Sequence, residues 1–197
     1  MNRKTAMKLF GLLGLLMLLS CGYADRHRNN SSCEQVLVDS LEVRVQDSLF
    51  SNVHYSRSQV LDALTQAQDS QVYYRLLALY GKTFFVSSDF DSILYYNRRV
   101  KEFFRNASQS SESLQSPQWN DVLSDVYNIE GNVWMQLNRP DSAITDYKKA
   151  YEYRLKGKKL HLLPDICINT ADAYLHRSDL AHTASYYRRA LFLCDSL

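Results

Sequence analysis

Apolar residues recur at helical spacing along most of the chain. Between 34 and 51 they fall at Val36, Leu37, Leu41, Val45 and Leu49, and between 58 and 67 at Val60, Leu61 and Leu64. Steps of three and four residues place such positions on one face of a helix. From residue 71 onward the stripes mix aromatic rings with small residues. A different pattern opens the chain: Leu9 to Leu19 is continuously apolar apart from Gly11 and Gly14. That run has the length of a signal-peptide core and is too short to span a bilayer as a helix.

Aligned on itself, the region after residue 71 repeats one template. Residues 131–150 place Gly131, Trp134, Ala143, Tyr147 and Ala150 at set spacings, and residues 171–190 repeat them as Ala171, Tyr174, Thr183, Tyr187 and Ala190. Residues 81–100 give Gly81, Phe84, Ile93, Asn97 and Val100. A small residue and an aromatic three positions apart share one helix face, the intervening segment holds a turn, and the remaining positions stripe a second helix. Gly131 and Ala171 are expected to let helices approach, with Trp134 and Tyr174 buried beside them. Asp91 and Asp141 are candidate helix caps, Gly157 a helix stop and Pro164 a first-turn residue. A Ser/Gln-rich stretch, 106–118, reads as a loop.

This template resembles the tetratricopeptide repeat, with its small-x2-aromatic and later small-x3-aromatic spacing. The middle copy matches best. The first departs at Asn97, where an aromatic belongs, and Glu130 stands where the family carries Leu. The copies start 50 and then 40 residues apart, against about 34 in the standard repeat. The resemblance implies an all-α fold, a superhelical solenoid of antiparallel helix hairpins following a signal peptide. Three repeats are expected at about 71–105, 120–157 and 164–197, preceded by a degenerate leading hairpin over 33–70. In that family the first helix of each hairpin lines a concave groove. The matching positions here are Arg75, Lys82 and Phe85, then Asp125, Asn128, Asn132 and Met135, then Asp165, Asp172, Leu175 and His176. The groove would run from basic through amide to acidic. Asn132 matches an Asn that the family often uses to hold a bound peptide. Asp125 and Asp165 stand where the family's clamp for C-terminal carboxylates needs cations, so that clamp is not expected.

Residues 1–20 join Arg3, Lys4 and Lys8 to the apolar run, and Leu18-Leu19-Ser20-Cys21 follows. This resembles the bacterial lipobox, in which cleavage precedes a cysteine that carries the lipid. It implies lipidation at Cys21 and anchorage in the bacterial cell envelope, and Gly22 in place of Asp points to the outer rather than the inner membrane. Which side of that membrane the chain faces stays open. Several acyl chains on one residue anchor stably, at about 0.8 kcal/mol per buried methylene. Residues 21–32 are polar and aperiodic and read as a flexible tether.

Composition narrows the function. The net charge is +2, and without the three leader cations it is −1, so no basic footprint for nucleic acid is expected. The pairs Arg98-Arg99, Lys148-Lys149 and Arg188-Arg189 recur at one repeat position and read first as the solvated side of the second helices. Tyr is abundant, at 14 residues, which suits helix contacts with a wet edge. Beyond Cys21, the thiols Cys33, Cys167 and Cys194 have no zinc spacing. Cys167 and Cys194 fall on apolar faces, as small buried residues or, alternatively, as a disulfide. The five His residues also lack metal-ligand spacing. No phosphate loop, HExxH or GxSxG motif occurs, so no catalytic residue, metal or cofactor is expected. Asp-Ser followed by an apolar residue, as at 39–41 and 91–93, fits helix starts first and resembles an O-glycan acceptor second.

These features predict a non-catalytic, lipid-anchored scaffold that binds a protein or peptide partner in the envelope. The alternative is the sensory input region of a signal-transduction regulator. Leu191, Leu193 and Cys194 have no following helix to cover them, which points to self-association through the last helix or to a longer design. A helical glycan-uptake lipoprotein ranks last, because the insertions that carry sugar sites are missing.

Overall fold

The structure, a computed structural model, describes residues 35–47, 51–107 and 116–197. The leader, Cys21, the tether, Cys33, Ser48, Leu49 and most of the Ser/Gln-rich stretch lie outside the described residues. Among the described residues every regular element is helical: α1 (35–47), α2 (Val53–Gln66), α3 (Ser70–Lys82), α4 (Phe90–Ala107), α5 (Pro117–Gln136), α6 (Pro140–Arg154), α7 (Leu163–His176) and α8 (Leu180–Ser196), with a 3-10 turn at Leu160–Leu162 before α7.

The helix starts have local causes. Asn52 accepts from the Tyr55 amide to open α2, and Asp69 accepts from the Gln71 and Val72 amides to open α3. Asp89 accepts from the Ser92 amide at 3.1 Å and its hydroxyl at 2.7 Å, and Asp179 accepts from the His182 amide at 3.2 Å. The expected caps Asp91 and Asp141 instead lie inside the first turns of α4 and α6. There a carboxylate favours the helix dipole without capping an amide. α5, α6 and α7 carry proline in the first turn, Pro164 among them, where its missing N–H costs nothing.

The turns closing α3–α4, α5–α6 and α7–α8 are built alike. Ser88, Asn138 and Ser178 have positive φ, at 54°, 55° and 60°. The amides of Asp89, Arg139 and Asp179 donate to the carbonyls of Phe84, Trp134 and Tyr174, and those of Ser88, Asn138 and Ser178 donate to Phe85, Met135 and Leu175. This pair of bonds satisfies the last carbonyls of a helix and reverses the chain. The three turns fall at one position of the repeat template.

Small residues set the approach within the hairpins. A Cβ on Gly131 would lie 2.3 Å from the Tyr147 ring, so the ring occupies the place of the missing side chain. The equivalent Ala171 keeps its Cβ, and Tyr187 there is 39% exposed where Tyr147 is 2% exposed. In the first copy Asn97 is fully buried and donates to the Val126 carbonyl at 3.2 Å. Asn97 therefore bonds forward to the next hairpin where the other copies use a ring.

Consecutive helices pack together from α2 through α8, and α3, α5 and α7 also touch one another in turn, whereas no comparable contact joins α4 to α6 or α6 to α8. The described helices thus form two layers, with α3, α5 and α7 the more closely spaced. Val38, Leu41 and Val45 of α1 join the buried cluster of α2, α3 and the start of α5. A second cluster joins α5 to α8 through Ile144, Tyr147, Ile166 and Tyr174. Three placements differ from expectation. Trp134 is only half-buried, donating to Asp146 at 2.8 Å, and the fully buried tryptophan is Trp119, packed beside Phe103 and Phe104. Cys167 is buried but Cys194 is exposed, and both are free. Gly157 lies beyond the end of α6 and is no helix stop; a Cβ there would fall 2.1 Å from Asp121.

Candidate functional site

The expected groove residues lie along the α3–α5–α7 layer, and the structure divides them into an occupied part and an open part. Arg75 is occupied. Its side chain is 4% exposed and donates to Asp39 at 2.6 Å, Glu42 at 3.1 Å and Gln35 at 3.3 Å, all on α1. Lys82 donates to Gln46 of the same helix at 2.6 Å. Asp39 and Glu42 thereby balance the Arg75 charge, and Lys82 is bonded to a neutral amide, which corrects the reading of Arg75 and Lys82 as open groove positions. Phe85 packs partly buried against Ile93, Ile129 and Val133.

In the middle hairpin Asp125 receives a bond from Arg154, whose other terminal nitrogen donates to the buried Asp121 at 2.8 Å. Asp121 also accepts from the Lys158 and Lys159 amides, at 2.9 and 3.2 Å, and so draws the α6–α7 connection against the start of α5. Lys159 reaches on to Glu42 at 2.8 Å. Burial works against the Lys159 charge, but Glu42 and the nearby aspartates outweigh it and raise its pKa. Asn128 accepts from Asn169 at 3.1 Å, and Asn132 accepts from the Tyr147 hydroxyl at 2.7 Å. Asn132 thus supports the hairpin lock, and Met135 packs into the second core cluster.

The open part is on α7. Asp165 and His176 are exposed, and Leu175 is 47% exposed. Asp172 is half-buried and accepts from Tyr187. Ile168, 39% exposed, completes this face and was not singled out from the sequence. Its signal was present, since Asp165, Ile168, Asp172 and Leu175 follow one another at helical steps of three and four. The result is two apolar side chains alternating with two acids, a surface suited to an apolar segment with cationic flanks.

A second polar cluster joins α5 of this layer to α4 and α6. Glu130 is 3% exposed and pairs with Lys101 at 2.6 Å. Burial raises its carboxyl above the ordinary range, against the pull of Lys101. Burial also raises Asp146, which accepts from Trp134, and pushes the Tyr127 hydroxyl up to about 12. The Lys101 and Lys149 ammonium groups each lie 5.1 Å from the Tyr127 ring centre. Lys148 and Arg189 sit similarly over Tyr174 and Tyr151. Both lysines of the middle pair, and Arg189 of the last, are therefore exposed groups laid on tyrosine faces, whereas Arg188 donates to the Ala184 carbonyl. Burial pushes the Cys167 thiol up to about 11, which disfavours its thiolate. Among the described residues, no group of three or more His, Cys, Asp or Glu is placed to hold a metal ion, and no helix is long and apolar enough to cross a membrane.

Compared with models of protein families and with curated proteins, the chain matches none.

Proposed function

We propose that this chain is a lipid-anchored scaffold of the bacterial cell envelope, built on a tetratricopeptide-type superhelix, that binds a protein partner on its inner layer and performs no chemistry itself. One observation carries the reading. The hairpin turns at Ser88, Asn138 and Ser178 recur in register, and the first helices behind them touch in sequence along one side. A stack of such hairpins has a continuous inner surface, and its natural use is to hold an extended or helical segment. The α7 face, where Asp165, Ile168, Asp172 and Leu175 alternate acid and apolar side chains, is the more open part of that surface, with Asp172 alone of the four bonded through its side chain, to Tyr187. The signal-like leader with Cys21 supports anchorage on a tether.

Two variants test the reading. Cys21→Ser should release the chain from the membrane fraction and remove a lipid-sized mass from it. Ile168→Lys with Leu175→Lys should abolish stoichiometric co-purification of the partner from solubilised envelopes at unchanged thermal stability. Retention of the partner by that double variant would show that the α7 face does not bind it.

A further inference from the structure

The polar contacts of α1 fall on one stripe. Gln35, Asp39, Glu42 and Gln46 are spaced four, three and four residues apart, and each accepts a bond from a cationic side chain. Arg75 meets the first three, Lys82 meets Gln46, and Lys159 joins Arg75 on Glu42. These cations come from α3 and from the α6–α7 connection, so Glu42 bridges groups that are 33 and 117 residues away from it in sequence. Beside the stripe, Val38, Leu41 and Val45 are buried. The helix is thus held by an apolar edge and an acid-and-amide edge, as an amphipathic helix is held in a groove. Arg75 is costly to place there: among the described residues its Nε is buried without a hydrogen-bond partner, and its ion pairs are with the acids of α1.

We propose that Arg75, Lys82 and Lys159 form a recognition strip for an acidic amphipathic helix, occupied in this chain by α1, and that a partner helix with the same stripe displaces α1 to bind. The inference deepens the proposed function by naming a ligand class for the other end of the same layer, and it rests on that layer being a binding surface. Charge complementarity selects the occupant: acids three residues apart, amides one turn outside them, and aliphatic residues alongside. Tethered in the chain, α1 acts at an effective concentration in the millimolar range. A free helix therefore competes only when the α1 contacts are weakened or when its own contacts are better.

Hydrogen exchange and peptide binding on the full chain test this. In Asp39→Asn with Glu42→Gln, amide exchange over 35–47 should quicken by at least about tenfold while α5 to α8 stay unchanged, because three bonds lose their carboxylate charge. Lys159→Gln, outside both α1 and α3, should act in the same direction and more weakly. A fluorescent peptide of residues 35–47 should bind the double variant at least about tenfold more tightly than the unaltered chain. The same peptide with Asp39→Asn and Glu42→Gln should lose that binding. Unchanged exchange over α1, equal acceleration throughout the molecule, or peptide binding that is absent or indifferent to the stripe would each overturn the proposal. These readouts do not involve the α7 face, so their failure is separate from failure of the partner test there.

Discussion

At the scale of single residues, one methyl group decides where a ring goes. Tyr147 lies over Gly131, and Tyr187 stands away from Ala171. Gly131→Ala should therefore cost about 1–3 kcal/mol in urea unfolding, and a change within experimental error would mean that the ring is not seated there. The two tryptophans should also part. Trp119→Ala should cost about 3–5 kcal/mol, because that ring is 2% exposed. Trp134→Ala should cost only about 1–2 kcal/mol, chiefly its bond to Asp146. Glu130 supplies a pH test. Burial raises its folded-state pKa above the ordinary 4.5, so the folded protein holds this proton more tightly than the unfolded chain does. Its contribution is most favourable below 4.5 and is lost as pH rises through the folded value. Glu130→Gln should consequently gain stability relative to the unaltered protein as pH rises from the ordinary carboxylate range toward neutral. A difference that stays flat across this range would show that Glu130 is not buried against its charge. The burial of Tyr147 and Tyr174 was legible in the sequence because small and aromatic residues differ so much in size, whereas that of Trp134 and Tyr187 was not. The rank of the tryptophans was not, since Trp119 lies outside the repeated template and is buried by Phe103 and Phe104 from the preceding helix.

At the scale of elements, the hairpins depend on their turns. Ser88 and Ser178 adopt the left-handed conformation, which costs a side-chain-bearing residue roughly 1–2 kcal/mol. Ser178→Gly should raise stability by about 1 kcal/mol, as measured by the thermal midpoint, and Ser178→Val should lower it. Asp179→Ala should cost about 0.5–2 kcal/mol by removing a cap, and Asp141→Ala should cost less. The helices themselves were legible from their apolar period, and so was the position of each reversal. The caps were misread because Asp-Ser pairs look like starts wherever they occur. In α4 the capping carboxylate is Asp89, three residues before its bonded partner Ser92. The glycine after α6 was misread in the same way: it makes room for Asp121, whereas a helix stop would need a left-handed backbone, and no glycine among the described residues has one.

At the scale of the whole molecule, the described helices lie in two layers, and the proposed function rests on one of them. The α3–α5–α7 layer was legible because each copy keeps the same internal spacing, although the copies start 50 and then 40 residues apart. The ion pairs across it were not. Glu42 and Lys159 meet across 117 residues, and no local pattern links an acid in the leading helix to a lysine in a late connection. This is why the expected gradient from basic to acidic fails. Its basic end is matched by α1, and what remains open is the acidic and apolar face of α7. The central claim is that this face is where the partner sits. A photo-cross-linking residue placed singly at Ile168, Asp172 or Leu175, and for comparison at the exposed Lys148 on the opposite layer, measures it directly in intact envelopes. One common adduct is expected from the three α7 positions and none from Lys148. Adducts from Lys148 alone, or equally from all four positions, would contradict it.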